Sequence, residues 1–280
     1  MEEKIKDFRK IVWAHYRAHG RHDLPWRKTK DPYRVLVSEI MLQQTQVERV
    51  IPFYKNFIKQ FPTAKKLAAS PLAEVLKVWQ GLGYNRRAKM LREAARELGR
   101  VKSDFKNSKK SDFTLRSVQE LEKLPGVGKY TARAVAAFAF DEDAIVVETN
   151  IRTAVTHHFF AAHVANVSDA DIEKILERAL PKGRAREWYS ALMDYGAYLK
   201  RGGISHNARS KGYTKQSKFS GSSREARGAI LRALASGSRT SATLINLLGL
   251  SRRSQLATAL VALEREGLIK KAGQRYSLAE

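Results

Sequence analysis

An acidic side chain interrupts an apolar stretch of the chain. Glu39 stands between Val35-Leu36-Val37 and Ile40-Met41-Leu42. A carboxyl group that is desolvated among such neighbours has a raised pKa, which suits a general acid that works near neutral pH. The alternative is a buried glutamate whose hydrogen bonds serve only the fold.

A second acid, Glu148, follows the apolar run 144–147 and precedes Thr149-Asn150-Ile151-Arg152, which begins a helical pattern. At the N-terminus of that helix, the helix dipole would keep the carboxylate ionised. One carboxyl group that protonates a leaving group and a second that stabilises or attacks an oxocarbenium ion form the pair that cleaves glycosidic bonds. The alternative for Glu148 is a plain helix cap.

The charge of the chain points to a polyanionic partner. The 280 residues include 52 Lys and Arg against 28 Asp and Glu, a formal net charge of +24. Such an excess repels itself in a compact fold, and nucleic acid cancels it with release of counterions. The alternatives are a merely basic protein and an anionic membrane surface, but no long apolar run or signal-type N-terminus supports a membrane. We expect a cytoplasmic, nucleoid-associated protein with no membrane partner.

Two glycine-containing turns are candidates for holding DNA phosphates. Leu124-Pro125-Gly126-Val127-Gly128 lies between two helical patterns and predicts a helix–hairpin–helix, in which amides at the start of the second helix grip a phosphate. Lys129 would add a phosphate contact. Gly81-Leu82-Gly83-Tyr84, which precedes a basic helix, is the second candidate. The alternative for the first turn is an ordinary connection between helices.

The polar run Gln43-Gln44-Thr45-Gln46 breaks the helical pattern directly after the apolar stretch around Glu39. Its amides would push into a base stack, or bond to base edges that are opened when a nucleotide is extruded. A surface turn is the alternative.

Cysteine is absent from the sequence. This absence excludes disulfides, thiol nucleophiles, cysteine-ligated zinc and an ordinary iron–sulfur cluster. The adjacent His157 and His158 lack the spacing of metal ligands. We therefore expect no metal and no cofactor. We also expect a monomer.

Apolar residues recur at spacings of three and four along residues 1–199, which predicts an all-α body. The predicted helices are 4–19, 31–44, 47–60, 63–68, 71–79, 84–98, 114–123, 129–139, 149–159, 168–179 and 184–199.

The periodicity stops at residues 200–223, which predict a basic linker, and resumes over residues 224–280. Helices 224–235, 240–248 and 254–266, followed by strands 268–271 and 275–278, are typical of a winged helix. Such domains bind DNA or dock proteins, and both partners remain open.

Together these segments resemble the helix–hairpin–helix DNA glycosylase superfamily, and within it the MutY adenine glycosylases, over residues 8–199. The resemblance is carried by Leu24-Pro25-Trp26-Arg27, residues 38–47, 79–84 and 124–131. It implies two helical subdomains and a monofunctional glycosylase of base excision repair. The implied substrate is mispaired adenine, opposite guanine or 8-oxoguanine, in double-stranded DNA with a mismatch or an oxidised base.

The resemblance implies roles for residues that meet the DNA. Glu39 falls on the acid that protonates adenine, and Gln43 and Gln44 fall on the segment that wedges into the duplex. Tyr84 falls on an intercalating tyrosine, and Arg27 on an arginine near the flipped base.

Two further positions bear on the reaction. Asn150 matches an active-site asparagine, and Tyr130 matches a tyrosine next to the catalytic carboxylate. Bifunctional relatives hold a Schiff-base lysine at the position of Tyr130, so the tyrosine implies base release without efficient strand cleavage.

The sequence departs from the family in three places. Glu148 replaces an aspartate, and the added methylene moves its oxygens by about an ångström. The four cluster cysteines would fall on Lys200, Asn207, Ser210 and Gln216, none of which replaces a thiolate. The winged helix stands where the family has a nucleotide-hydrolase-like domain. Two alternatives remain open: a mismatch glycosylase for thymine or uracil, and a non-catalytic protein that binds DNA damage.

Overall fold

The computed structural model describes residues 1–101, 117–161, 167–205 and 218–280, and in these ranges the chain is mostly helical. The helices are α1 (Glu2–His19), α2 (Pro32–Leu42), α3 (Val47–Gln60), α4 (Ala64–Ala69), α5 (Leu72–Trp79), α6 (Arg86–Val101), α7 (Val118–Glu122), α8 (Lys129–Phe140), α9 (Thr149–Phe159), α10 (Asp169–Ala179), α11 (Ala185–Arg201), α12 (Ser223–Ala235), α13 (Ser241–Leu248) and α14 (Arg253–Arg265). Two 3₁₀ turns span Pro25–Lys28 and Leu250–Arg252, and three strands span β1 (Arg239–Thr240), β2 (Ile269–Ala272) and β3 (Arg275–Leu278).

The described chain divides into two compact units. The first unit holds residues 1–39, 117–123, 127–161 and 167–205. The second unit holds residues 40–101, 124–126 and 218–280. No helix within these ranges combines the length and the apolar character that a bilayer crossing requires.

The core of the first unit forms around α11, which packs against α1, α8 and α9. Trp188 and Tyr189 of α11 are fully buried together with Phe8 of α1. Gly196 lies so close to the backbone carbonyl of Asn150 that a Cβ atom at position 196 would collide with it. The N-terminus of α9 is therefore seated directly on α11.

The second unit combines α3 to α6 with the C-terminal helices and strands. α4 and α5 pack against α6, and α12 packs against α5. The strands form an antiparallel sheet in the order β1-β3-β2. This order of helices and strands is that of a winged helix. Strand β1 was not anticipated, because two residues carry no periodicity.

Most predicted helix ends are confirmed to within two residues, but α6 extends to Val101, three residues beyond the predicted end. Two of the shifted ends have local causes. The predicted helix 31–44 ends at Leu42, because Gln44 has a left-handed backbone with φ of 54°. The predicted helix 84–98 begins at Arg86, because Tyr84 has φ of 48°. α7 begins after a capping box at Ser117, and residues 114–116 of that predicted helix lie outside the described ranges.

The predicted linker 200–223 overlaps two helices. α11 continues to Arg201, and α12 begins at Ser223 with Ser222 as its N-cap. Asn207, Ser210 and Gln216, three of the positions aligned with the family's cysteines, lie outside the described residues, and Lys200 belongs to α11. Within the described ranges, no group of three or more acidic or histidine side chains is arranged to hold a metal ion.

Candidate active site

Glu39 is a buried carboxyl group near the end of α2, with only 6% of the residue exposed. Its Oε2 accepts a hydrogen bond of 3.2 Å from the hydroxyl of Tyr130. Burial raises the pKa of Glu39 to about 7, the Tyr130 hydrogen bond opposes this rise, and the charge of Glu148 adds to it. This carboxyl group can therefore hold and release a proton near neutral pH.

Tyr130 lies in the first turn of α8, which begins directly after the predicted hairpin. Burial raises the pKa of its hydroxyl well above the ordinary value, and the charges of Glu39 and Glu148 act in the same direction. The phenol therefore remains a neutral hydrogen-bond donor to Glu39.

Glu148 is the N-cap of α9, as its position before a helical pattern predicts. Its Oε1 accepts hydrogen bonds from the backbone amides of Asn150 (2.7 Å) and Ile151 (2.9 Å). Its Oε2 accepts from the side chains of Thr149 (3.2 Å) and Asn150 (3.3 Å). Four donors at the N-terminus of α9 hold this carboxyl group in one orientation. The cap and the candidate catalytic carboxylate are thus the same group, and Asn150 orients it.

Arg27 is held by Asp194, a partner that the sequence analysis missed. The guanidinium group donates from Nη1 to Oδ2 (2.6 Å) and from Nη2 to Oδ1 (3.0 Å), and Arg21 donates to the same carboxylate. Burial opposes the ionisation of Asp194, but the two arginines outweigh it and leave the pKa of that carboxyl below its ordinary value. The one local signal was an acidic residue on the buried face of α11. A contact of Arg27 with a flipped base stays a prediction.

Arg87 organises the polar turn of the second unit and was also missed as a specific residue. Its Nη1 donates to the carbonyls of Ile40 (2.9 Å), Met41 (2.9 Å) and Gln43 (2.5 Å). Its Nη2 donates to the hydroxyl of Thr45 and to the carbonyl of Gly83, both at 3.2 Å. Burial lowers the pKa of Arg87 to about 10, so it stays charged at neutral pH.

This single guanidinium group joins the turn at residues 43–45 to the turn at residues 81–84. It satisfies carbonyls at the end of α2, where a helix leaves acceptors without intrahelical donors. Gln44 projects from the first turn and is exposed, and Gln43 and Thr45 are partly exposed. The predicted wedge residues Gln43, Gln44 and Thr45 therefore belong to a turn whose backbone Arg87 holds in place.

The predicted hairpin has a left-handed backbone at Gly126 but an extended one at Gly128, where φ is -92°. Gly126 has φ of 76° and approaches the side chain of Met90 closely, so a Cβ atom there would lie 2.7 Å from Cβ of Met90. Leu124 and Val127 are buried, whereas Lys129 is exposed. Gly128 is the N-cap of α8, whose first-turn amides have no intrahelical acceptors. Phosphate binding by these amides stays a prediction.

Comparison with known proteins places this chain in a family. Residues 37–182 match the profile of the HhH-GPD superfamily base excision DNA repair proteins. The adenine DNA glycosylase of Mycolicibacterium smegmatis is 37% identical over 93% of this chain and 92% of its own length. That of Mycobacterium tuberculosis is 38% identical over 69% of this chain and 61% of its length. That of Buchnera aphidicola (subsp. Baizongia pistaciae) is 37% identical, and the chain spans 51% of it.

Solved structures share the fold. A thermostable thymine-DNA glycosylase superposes with a TM-score of 0.58 at 28% identity, over 70% of this chain and 87% of that one. An endonuclease III in a non-covalent DNA complex superposes with a TM-score of 0.54 at 23% identity, over 71% and 85% of the two chains. With a family profile that matches more than half of its residues and a relative matched along nearly its whole length, this chain belongs to the HhH-GPD superfamily of base excision DNA repair proteins, as a MutY-like DNA glycosylase.

Proposed function

We propose that this glycosylase removes mispaired adenine from double-stranded DNA and leaves the strand intact. The observation that carries the proposal is the buried Glu39 carboxyl group, whose pKa is raised to about 7 and which is hydrogen-bonded to Tyr130. A purine leaves its sugar readily only after a ring nitrogen is protonated. An acid that still carries its proton near neutral pH supplies that proton.

Glu39 donates its proton to adenine while the C1′–N9 bond breaks, and the bonding electrons leave with the base. The sugar then carries positive charge, which the Glu148 carboxylate stabilises from its fixed position on α9. Water adds to C1′ and loses a proton, which completes the hydrolysis. The longer side chain of glutamate is a working substitute for aspartate here, because the backbone amides of Asn150 and Ile151 fix its carboxylate.

Tyr130 limits the enzyme to base release. A phenol forms no imine with the sugar, and this one already donates to Glu39. We assign Tyr130 a role in tuning the proton affinity of Glu39.

The DNA contacts come from the turns at residues 43–45 and 81–84 and from the hairpin at residues 124–128. We assign phosphate binding to the hairpin 124–128 and Lys129, and insertion into the base stack to Gln43, Gln44, Thr45 and Tyr84. The net charge of +24 supplies the sequence-independent attraction. The base opposite the adenine is guanine or 8-oxoguanine, and the enzyme works as a cytoplasmic, nucleoid-associated monomer without a cofactor.

A second candidate function is the removal of thymine from mismatches. It is favoured by the likeness to a thymine-DNA glycosylase at 28% identity. Glu39 argues against it, because thymine leaves as an anion stabilised by its carbonyls and needs no proton on a ring nitrogen.

The test is a single-turnover assay on duplexes that carry A, T, U or 8-oxoguanine at one position, opposite each normal base and 8-oxoguanine. We expect release of adenine, with strand breaks only after alkaline treatment. Release of thymine or uracil without adenine would establish the second candidate. Release of no base, with intact DNA binding, would establish a non-catalytic binder. Glu39→Gln is the matched control, because it keeps the shape of the side chain and removes the proton donor.

A further inference from the structure

The ring of Tyr84 lies close to two guanidinium groups in the second unit. The guanidinium carbon of Arg87 lies 5.3 Å from the ring centroid and that of Arg224 lies 5.6 Å from it. Arg224 also donates a hydrogen bond of 2.9 Å from Nη1 to the Tyr84 hydroxyl. Tyr84 stands in a left-handed backbone conformation that a non-glycine residue rarely adopts. The side chain of Tyr84 is therefore constrained both at its backbone and at its hydroxyl group.

The two arginines have different origins. Arg87 belongs to α6 and is occupied by the carbonyls of the adjoining turns. Arg224 belongs to the first turn of α12, the first helix of the winged helix. The C-terminal domain thus reaches the aromatic side chain for which we propose insertion into DNA.

The winged helix is seated on the same segment by further contacts. α12 packs against α5, the helix that precedes the Tyr84 turn. Lys89 of α6 donates 2.7 Å from Nζ to the backbone carbonyl of Glu266, and Arg227 of α12 pairs with the Glu266 carboxylate at 2.5 Å. Gly267 leaves space for the Lys89 side chain, because a Cβ atom at position 267 would lie 2.7 Å from Nζ of Lys89. The position of Arg224 relative to Tyr84 is thereby defined.

We propose that Arg224 is a positioning residue for Tyr84, and that through this contact the winged helix sets which base is accepted opposite the target adenine. The inference rests on the proposed function. An aromatic ring that enters a base stack discriminates between bases only when it is held in one orientation, because the stacking energy depends on its overlap with the neighbouring base. Arg224 restricts rotation of the ring before the DNA arrives, which lowers the entropic cost of insertion.

The test compares four variants by single-turnover rates on adenine opposite 8-oxoguanine, guanine and cytosine. Arg224→Ala removes the donor, Tyr84→Phe removes the acceptor and keeps the ring, and the double variant removes both. Arg232→Ala is the control, because Arg232 is an exposed arginine of the same helix. We expect each single change to lower the ratio of rates between the best and the worst opposite base by about five- to tenfold, the range of a partly exposed hydrogen bond. The double variant should lose no more than either single one.

A second measurement separates positioning from folding. With 2-aminopurine in the strand opposite the adenine, insertion of the Tyr84 ring raises the fluorescence by unstacking the probe. We expect Arg224→Ala and Tyr84→Phe to reduce this rise, while Arg232→Ala keeps it. If Arg224→Ala fails to fold, Tyr84→Phe tests the same hydrogen bond from the other side.

Three outcomes bear on the inference in different ways. Unchanged ratios in Arg224→Ala and Tyr84→Phe would overturn it, as would additive losses in the double variant. A wild-type enzyme that releases no adenine would contradict the proposed function instead, and the fluorescence measurement would still report whether Arg224 controls insertion of Tyr84.

Discussion

Replacing the buried acid Glu39 by glutamine should stabilise the folded protein, and increasingly so as the pH rises. In the folded chain the pKa of Glu39 is about 7, whereas its ordinary value is 4.5. When folding raises the pKa of a carboxyl group, its contribution to the free energy of unfolding is fully present below pH 4.5. This contribution is lost as the pH rises through 7. Above that range the ionised carboxylate opposes folding.

The size of this effect follows from the shift. Each pKa unit corresponds to about 1.4 kcal/mol. Relative to its value below pH 4.5, the free energy of unfolding is therefore lower by about 3 kcal/mol at pH 8, and by about 1 kcal/mol at pH 5.5, where Glu39 ionises only in the unfolded chain. Glutamine has nearly the same shape, carries no charge and keeps an acceptor for the Tyr130 hydroxyl. Its stability advantage over the wild type should therefore grow by about 2 kcal/mol between the two pH values.

Urea unfolding of the wild type and Glu39→Gln at pH 5.5 and pH 8 measures this difference. Glu177→Gln, at an exposed position on α10, controls for the loss of one carboxylate. The same Glu39→Gln sample should lose at least about a hundredfold in the rate of base release, the usual contribution of a general acid. A stability gap that stays constant or narrows at pH 8 would refute the raised pKa, and with it the reason for placing the proton on Glu39.

Four other outcomes follow from the site. The single-turnover rate should fall about tenfold from pH 6 to pH 8 as Glu39 loses its proton. Tyr130→Phe should move this decline to higher pH by about one unit, because the variant lacks a hydrogen bond that favours the Glu39 carboxylate. A decline that moves to lower pH would contradict the contact between Tyr130 and Glu39. Glu148→Gln should lower the chemical rate by several orders of magnitude, and Glu148→Asp should also be slower than the wild type, since the shorter side chain retreats from the sugar; a faster aspartate variant would mean that the site is a weakened one. Tyr130→Lys should yield a complex that borohydride traps, and a folded, base-releasing variant without one would place residue 130 away from the sugar. Binding to duplex DNA should weaken steeply with salt, and a log–log slope near zero would exclude phosphate contacts as its source.

Local sequence patterns were sufficient for the parts of the site that depend on neighbours in the chain. Glu39 was recognisable because the apolar residues around it on its own helix indicate a buried segment, and the residue is 6% exposed. Glu148 caps α9 because the helical pattern begins directly after it. The bend at Gly126 and the start of α8 also follow from residues within one short segment.

The partners of the arginines were not predictable from such patterns. Arg27 meets Asp194 across 167 positions of the chain, and Arg87 meets Met41 across 46. A guanidinium group in a sequence signals charge but not which carboxylate or carbonyl it will reach, because that depends on how the helices pack. Resemblance alone therefore assigns Arg27 to the DNA, and no local pattern distinguishes Arg87 from its basic neighbours.

The contact between Gly196 and the carbonyl of Asn150 acts as a spacer between α11 and the start of α9. Since Glu148 caps α9, the absence of a side chain at position 196 determines how deep its carboxylate is set. A methyl group at this position would strike the backbone of Asn150, which also donates two hydrogen bonds to Glu148, so the start of α9 and the carboxylate would move together. Position 196 is therefore closed to any side chain, and the depth of the Glu148 carboxylate is set by a residue of α11 that never contacts it.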